Sequence, residues 1–468
     1  MDRPRQLISD VSRIYQAARE SDDGQRCMVA PHPKLRKKIR KELESIRRKR
    51  GSVLAALSLR ATEPRVPGLN DGLIIPPGQF PLGTAPSRIR NAAAERAPLR
   101  GVLRVILVLV DFADKRMTAT ADHFRELFFS KAVMPTKSVR EYYTEVTHGL
   151  IDIQGEVVGP FRLPLTMAQY ANGASGTGNA LPTARTMARD AAKAADPSVD
   201  FTPYDNDGNG FVDAFIVVHA GRGAEVTGNP KDIWSHKWVL DGGAMSVDGT
   251  QIFGYLTVPE DAKIGVCAHE LGHLLFGFPD LYDTDGSSEG IGDWCVMAGG
   301  SWGGGGDTPC HPSAWCKANQ GWVNVKNRTT NGTVTLADVK DSKVVYRLWK
   351  NGAAGDEYFL AENRQQKGFD ASLPGAGLLL WHIDETISGN TNETHYKVAL
   401  MQADGKRDLE RAANQGDDGD CYPGRSKNTA FNDASNPNSR SYNGLPTAVA
   451  VTNITVTSGK VHASMRVK

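Results

Sequence analysis

The sequence predicts an α+β protein. A mixed-sheet domain is built around one long helix, a C-terminal all-β domain follows it, and a helical segment precedes it. Three observations carry this reading. The run VLRVILVLVDF at 102–112 is continuous in apolar and β-branched residues, too short to cross a membrane and suited to a strand covered on both faces. The stretch VCAHELGHLLFG at 266–277 has helical length, ends at glycine and has Pro279 just beyond as a stop signal. From about residue 326 the texture changes to short alternating runs such as TVTLADV, KVVYRLW, EYFLAENR and VHASMRV, separated by turn residues, which is an all-β pattern.

The remaining elements follow in chain order. Leu7, Val11, Ile14 and Ala18 recur at helical spacing, as do Leu35, Ile39, Leu43 and Ile46, so residues 1–60 read as a helical basic segment broken at DDGQRCMVAPHP. Residues 61–99 are rich in proline and glycine and read as an extended linker. Within 100–325, HFRELFF and SVREYYTEV look helical, LIDIQGEVVGPFRLP reads as a hairpin or strand pair, LPTARTMARDAAKAA is an alanine-rich helix, and FVDAFIVVHAG at 211–221 is a second buried strand. Residues 326–468 form the β-domain.

Composition narrows the function. The chain has 468 residues, ample for a sizeable core, with 55 basic and 53 acidic side chains and a net charge of +2. That balance excludes a general polyanion binder, so no nucleic-acid partner is expected. The first 50 residues carry 15 Lys and Arg against 7 Asp and Glu, which reads as a solvated helix face docking on a mildly acidic body. Six cysteines without a C-x-x-C pair make neither a disulfide scaffold nor a thiolate zinc ribbon. No run reaches ~18 apolar residues, so no membrane span is expected, and the first residues lack the apolar core of a signal peptide.

The chemistry concentrates at His269-Glu270-Leu271-Gly272-His273. Four residues make about one helical turn, so both imidazoles leave one face and can share a metal ion. Zinc suits imidazole ligands with an open position, and Glu270 can then act as general base on a water. A third protein ligand is needed, and LLFGFPDLYD supplies Asp280 or Asp283 after the turn at Gly277. IGDWCVMAGGSW then places Met297 in a glycine-rich turn, as metzincins place a methionine below a three-ligand site.

AHELGHLLFGFPDLYD and DWCVMAGGSW, with IVVHAGRGAEVTGNPKDIWSHKW, ENRQQKGFD and LPGAGLLLWHIDE further along, resemble the immune inhibitor A-like family of bacterial metallopeptidases over roughly residues 100–468. The resemblance implies a metzincin-like catalytic domain over 100–325, a sandwich-like β-domain, one catalytic zinc, structural calcium, secretion, and endopeptidase action on protein or peptide substrates. Carried over by position, His269 and His273 are zinc ligands, Glu270 is the base and Met297 is the Met-turn. The chain departs from the family pattern at one point. Phe276 and Pro279 stand where glycine and the third ligand are expected, while Gly277 and Asp280 keep the internal spacing one residue late. A one-residue insertion at the helix end makes Asp280 the third ligand, with Asp283 as the alternative.

A second constellation is DNDGNGFVD. Asp205, Asp207 and Asn209 alternate along it, Gly210 provides the turn and Asp213 follows, which suits a calcium loop; Ile216 occupies the position of an EF-hand's bidentate glutamate. His219, His236 and His311 are read as packing histidines, and Trp302 and Trp322 as core. Cys27 could place a thiolate on the open zinc position and keep residues 1–97 as a latency-conferring propeptide. The leading function is a zinc endopeptidase. The alternatives are a calcium-stabilised extracellular binding protein on the same scaffold and a zinc aminopeptidase, and a cytoplasmic location is the alternative to secretion.

Overall fold

The computed structural model describes residues 28–50 and 72–468, with backbone alone for 42–50. The helical pattern over residues 7–18 and the cysteine at 27 lie outside the described residues. The chain divides into two compact units, one formed by residues up to Tyr143 together with Ile151–Pro279, the other by Thr144–Leu150 with Asp280–Lys468.

The first unit is organised by a five-stranded sheet. Its strands are β1 (Gly101–Asp111), β2 (Ile151–Arg162), β3 (Phe215–His219), β4 (His236–Val239) and β7 (Gly254–Pro259), in the order β2-β1-β3-β7-β4. The run at 102–112 is indeed a central strand: β1 pairs in parallel with β2 and β3, and Val105–Val110 are fully buried. β3 continues in parallel to β7, and β4 closes the sheet as an antiparallel edge. The small hairpin of β5 (Met245–Val247) and β6 (Thr250–Ile252) turns at Asp248-Gly249, both at positive φ as a two-residue hairpin turn requires.

Helices alternate with these strands along the chain. α1 (Pro33–Arg50) buries Leu35 and Ile39, α2 spans Ala121–Phe129 and α3 spans Val139–Val146. α4 (Ala184–Ala195) presents Ala184, Met187, Ala188, Ala191, Ala192 and Ala195 to Ile106, Val108, Val110, Phe215 and Val217, small side chains that let the helix approach the strands closely. Residues 72–99 hold only one-turn helices, such as Pro86–Arg90 and Ala92–Glu95, among extended chain.

The hairpin or strand pair expected at 150–164 is instead the single strand β2. Its glycine serves packing rather than turning: a Cβ on Gly155 would lie 1.8 Å from the Val105 carbonyl oxygen of the neighbouring strand. α5 (Ile264–Phe276) is buried along its whole length. It ends at Gly277, whose φ of +65° and 2.7 Å Cβ approach to the Ala94 nitrogen exclude any side chain.

The second unit contains two sheets. β13 (Val398–Leu400), β12 (Gly377–Asp384), β11 (Glu357–Arg364), β10 (Val344–Leu348) and β8 (Asn324–Asn327) form one in that order; β14 (Ala450–Thr457), β15 (Lys460–Arg466) and β9 (Gly332–Leu336) form the other. Leu348, Phe359, Leu380, Val451, Val461 and Met465, drawn from both, share one core. α6 (Ala314–Asn319) carries Lys317, whose Nζ is bonded to Glu362 at 2.6 Å with both side chains fully buried. Beside them Arg364 pairs with Asp370 and donates to the Trp294 carbonyl, so buried charge braces the segment leading to Met297.

Candidate metal centre

α5 sets the two histidines. Both are fully buried, and their Nε2 atoms lie 3.0 Å apart, facing one point. Two nitrogens bound at zinc–nitrogen lengths of about 2.0–2.1 Å in a tetrahedral shell would stand ~3.3 Å apart, so a small repositioning suffices. His273 Nδ1 contacts the Phe278 carbonyl, which accepts an N–H there and leaves Nε2 as the lone-pair nitrogen. The Schellman-like end of α5 makes that contact possible: Gly277 N–H donates to His273 and Phe278 N–H to Gly272, turning the chain back under the helix. The Tyr143 hydroxyl donates to the Ala268 carbonyl at 2.7 Å, fixing the turn that carries His269.

Two residues past Phe278 comes Asp280, 3% exposed. A carboxylate oxygen of Asp280 and one nitrogen from each of His269 and His273 all lie within 4.8 Å of one another. The donor set, two imidazoles and one carboxylate at the buried end of a helix, fits a zinc ion. Asp283 is outside this group. Its oxygens accept from Asp285 N–H, Ser287 Oγ, Ser288 N–H and Ser288 Oγ at 2.7–2.9 Å, making it the hub of the 283–288 turn. The next residue after Asp280 is tied down as well, since Leu281 N–H donates to the Met297 carbonyl at 2.8 Å; Met297 itself is fully buried.

Glu270 sits between the histidines and is fully buried. Its Oε1 accepts the Val29 N–H at 2.9 Å. Val29 belongs to a short extended stretch lying along the β4 edge of the sheet. Met28 bridges His236 in antiparallel fashion, Val29 N–H also reaches the Ser235 carbonyl, Trp234 Nε1 donates to the Val29 carbonyl, and His32 N–H donates to the Glu225 carbonyl. Nothing in the sequence signals this contact, which joins residues 241 positions apart. Below it, Glu225 is fully buried; burial pushes its carboxyl up to about 7, against hydrogen bonds from the Ser235 hydroxyl and N–H that favour the ionised form.

The other singled-out histidines have structural surroundings. His236 bonds through both ring nitrogens, to the Trp234 carbonyl and the Tyr255 hydroxyl. His219 contacts the Ala220 carbonyl, and burial lowers its pKa. His311 bonds to Glu145. Trp302 and Trp322 are buried.

The 205–213 loop brings Asp205, Asp207 and Asp213 together within ligand distance of one another. Asn209 is held within the loop, its Oδ1 accepting Phe211 N–H. A cation already stands there: Arg96 Nη1 donates to Asp213 at 2.6 Å and Asp207 at 3.2 Å, while Nη2 reaches the Leu275 carbonyl near the end of α5. Sequence reasoning missed Arg96, whose only signal is a lone basic residue between two short hydrophobic stretches.

Residues 104–329 match the family model described as immune inhibitor A peptidase M6, catalytic domain. Over 295 residues the chain is 30% identical to immune inhibitor A of Bacillus thuringiensis subsp. alesti, covering 52% of this chain and 41% of that protein. Over 268 residues it is 31% identical to the pre-pro-metalloprotease PrtV of Vibrio cholerae serotype O1, strain M66-2, covering 46% of this chain and 29% of that protein. The matched region thus spans less than half the length of these curated relatives.

Proposed function

We propose that the chain, whose residues 104–329 match the immune inhibitor A peptidase M6 catalytic-domain model, is a zinc endopeptidase in which His269, His273 and Asp280 hold the metal and Glu270 is the general base. The supporting observation is the three-donor group with a buried carboxylate one residue from its first ligand. A zinc ion held there would supply Lewis acidity and make a water acidic enough to lose its proton near neutral pH. Glu270 would take that proton and deliver it to the departing amine. His273, its Nδ1 committed to the Phe278 carbonyl, keeps Nε2 oriented toward the donor group. The β4 edge offers its backbone to an extended peptide, as it does to Met28 and Val29.

The N-terminal residues complete the proposal as a latency segment. With Val29 N–H bonded to Glu270, the base is engaged by chain rather than by water, and the stretch around it lies where an extended substrate would add to the sheet. The similarity to a pre-pro-metalloprotease agrees with such processing and with export. Residues 100–325 would be the peptidase domain and 326–468 a supporting β-domain. Among the described residues no helix is long and apolar enough to cross a membrane. Calcium on Asp205, Asp207 and Asp213 is a secondary proposal, since the ion would have to displace Arg96.

Casein turnover, measured with bound zinc before and after treatment with a zinc chelator and after zinc is restored, tests the reading. Zinc-dependent hydrolysis is expected. Tight zinc binding without hydrolysis, even after the first 97 residues are cut away, would favour the binding-protein alternative; release of single N-terminal residues only would favour an aminopeptidase.

A further inference from the structure

Five of the cysteines fall among the described residues, and three of these cluster in the second unit: Cys295, Cys310 and Cys316, all buried. They are not equivalent. The Cys295 and Cys316 thiols are hydrogen-bonded to each other. Cys295 Sγ also accepts the Ser313 N–H at 3.2 Å and the Met297 N–H at 3.4 Å, and the Ser313 hydroxyl contacts Cys316 Sγ at 3.4 Å. Cys310 points elsewhere: its thiol donates to the His311 carbonyl and its sulfur packs over Gly300, where a Cβ would lie 2.3 Å away. Among the described residues the three thiols do not form a three-donor group of metal-binding dimensions. The arrangement is therefore a sulfur pair plus a bystander.

We propose that Cys295 and Cys316 are a dithiol–disulfide couple that, when oxidised, staples the Met297 turn to α6. Two features suit the pair to this. Both sulfurs converge on Ser313, whose N–H reaches Cys295 Sγ at 3.2 Å and whose hydroxyl reaches Cys316 Sγ at 3.4 Å. Cys295 is also built to be the attacking thiolate. Burial alone would push its thiol up, yet hydrogen bonds from the Cys316 thiol and from the Met297 and Ser313 N–H groups outweigh burial and hold it below the ordinary cysteine value. Cys316, by contrast, is held well above it, first by burial and then by its neighbour, as suits the second thiol to react.

The chemistry balances with a small-molecule disulfide such as oxidised glutathione as oxidant. Cys295 thiolate attacks one glutathione sulfur, forming a mixed disulfide and releasing one glutathione thiolate. Cys316 then loses its proton and attacks Cys295 Sγ, forming the 295–316 bond and releasing the second thiolate. Two protein thiols are oxidised and one disulfide is reduced. Because both sulfurs are fully buried in the folded chain, this exchange belongs to folding or to transient opening of the turn. The staple would act on the site through the chain: Met297, two residues from Cys295, receives the Leu281 N–H and so fixes the residue after Asp280.

The test compares full-length chain folded with oxidised and reduced glutathione against chain folded with dithiothreitol. Each sample is unfolded, alkylated without reductant and peptide-mapped by mass spectrometry. The expected result is a linked 295–316 peptide only in the oxidised sample, with a thermal midpoint several degrees above the reduced one. Cys310→Ser should keep both responses, and Cys295→Ser with Cys316→Ser should lose the midpoint difference. Full alkylation of both cysteines after oxidative folding, or a linked peptide that contains Cys310, overturns the proposal. A 295–316 link without any change in midpoint overturns the stapling role.

Discussion

At Glu270 the geometry separates two roles that the motif alone leaves merged. Its side chain faces a backbone N–H rather than joining the donor group, so Glu270→Gln should keep the fold and about one zinc per chain while lowering peptide hydrolysis ~10²–10⁴-fold. Zinc loss in this variant would make Glu270 a ligand. The third donor is argued the same way. Asp283 spends its oxygens on four hydrogen bonds inside its own turn, whereas Asp280 shares the donor group with the histidines. Asp280→Ala should therefore weaken zinc sharply in a competing-chelator titration. Asp283→Ala should act mainly on thermal stability, with an affinity loss no larger than the ~10–100-fold typical of outer partners. Equal zinc loss from both would defeat the distinction. The histidines and Glu270 were legible because one helical turn fixes their relation. Asp280 was legible only as a spacing argument, and Val29 was not legible at all, because a hydrogen bond between distant segments leaves no periodic trace.

Elements show where local pattern fails and why. The run that became β1 was readable because a strand buried on both faces has no alternative at that length. Gly155 and Gly159-Pro160 imitate a turn in β2, but the glycine at 155 is demanded by the neighbouring strand, a reason that exists only after pairing. The 205–213 loop was readable as an acidic cluster, while its counter-ion was not, since Arg96 arrives from the linker. Burial pushes Asp213 up even beside that guanidinium. Removing the cation by Arg96→Met should cost ~3–5 kcal/mol, as expected when one partner of a buried pair is lost. Millimolar calcium should recover part of the thermal midpoint in the variant and add little to the unaltered chain; equal calcium responses would show that Arg96 does not hold the cation position. A pH signature belongs to Glu225, which lies behind the strand edge that receives Val29. Its folded pKa, about 7, exceeds the ordinary 4.5, so its contribution is fully present below about pH 4.5 and is lost as pH rises through 7. Unfolding midpoints should fall over that window, and Glu225→Gln, a mimic of the protonated form, should flatten the fall. An unchanged slope in the variant would place the titration elsewhere.

At the scale of the whole chain, the proposed function gives the described residues before β1 two separable tasks. Met28–His32 lie along the β4 edge, where Val29 engages Glu270, an arrangement that under the proposed function would oppose activity. Residues 72–99 support the same unit: Lys237 Nζ donates to the Leu73 carbonyl, Ala94 closes on Gly277, and Arg96 ties the 205–213 loop to the Leu275 carbonyl at the end of α5. On this reading the latency and scaffold tasks would fall to separate described segments, 28–50 and 72–99. A specific protease site inserted within residues 51–71 of the full chain tests this. Cutting there frees the 28–32 stretch from covalent attachment while leaving Arg96 in place, so hydrolysis should rise from a low baseline by tenfold or more with little change in thermal midpoint. Dilution should enhance the rise, because a cut segment held by hydrogen bonds and by the buried side chains of Met28, Val29, Ala30, Leu35 and Ile39, with no covalent tie, dissociates as the concentration falls. A cut placed instead after Arg96, at residues 97–99, should raise activity only briefly and lower the midpoint, because the guanidinium then leaves with the released segment. If the first cut leaves hydrolysis unchanged at every dilution, the contact between Val29 and Glu270 does not restrain the base, and the N-terminal segment acts as scaffold alone.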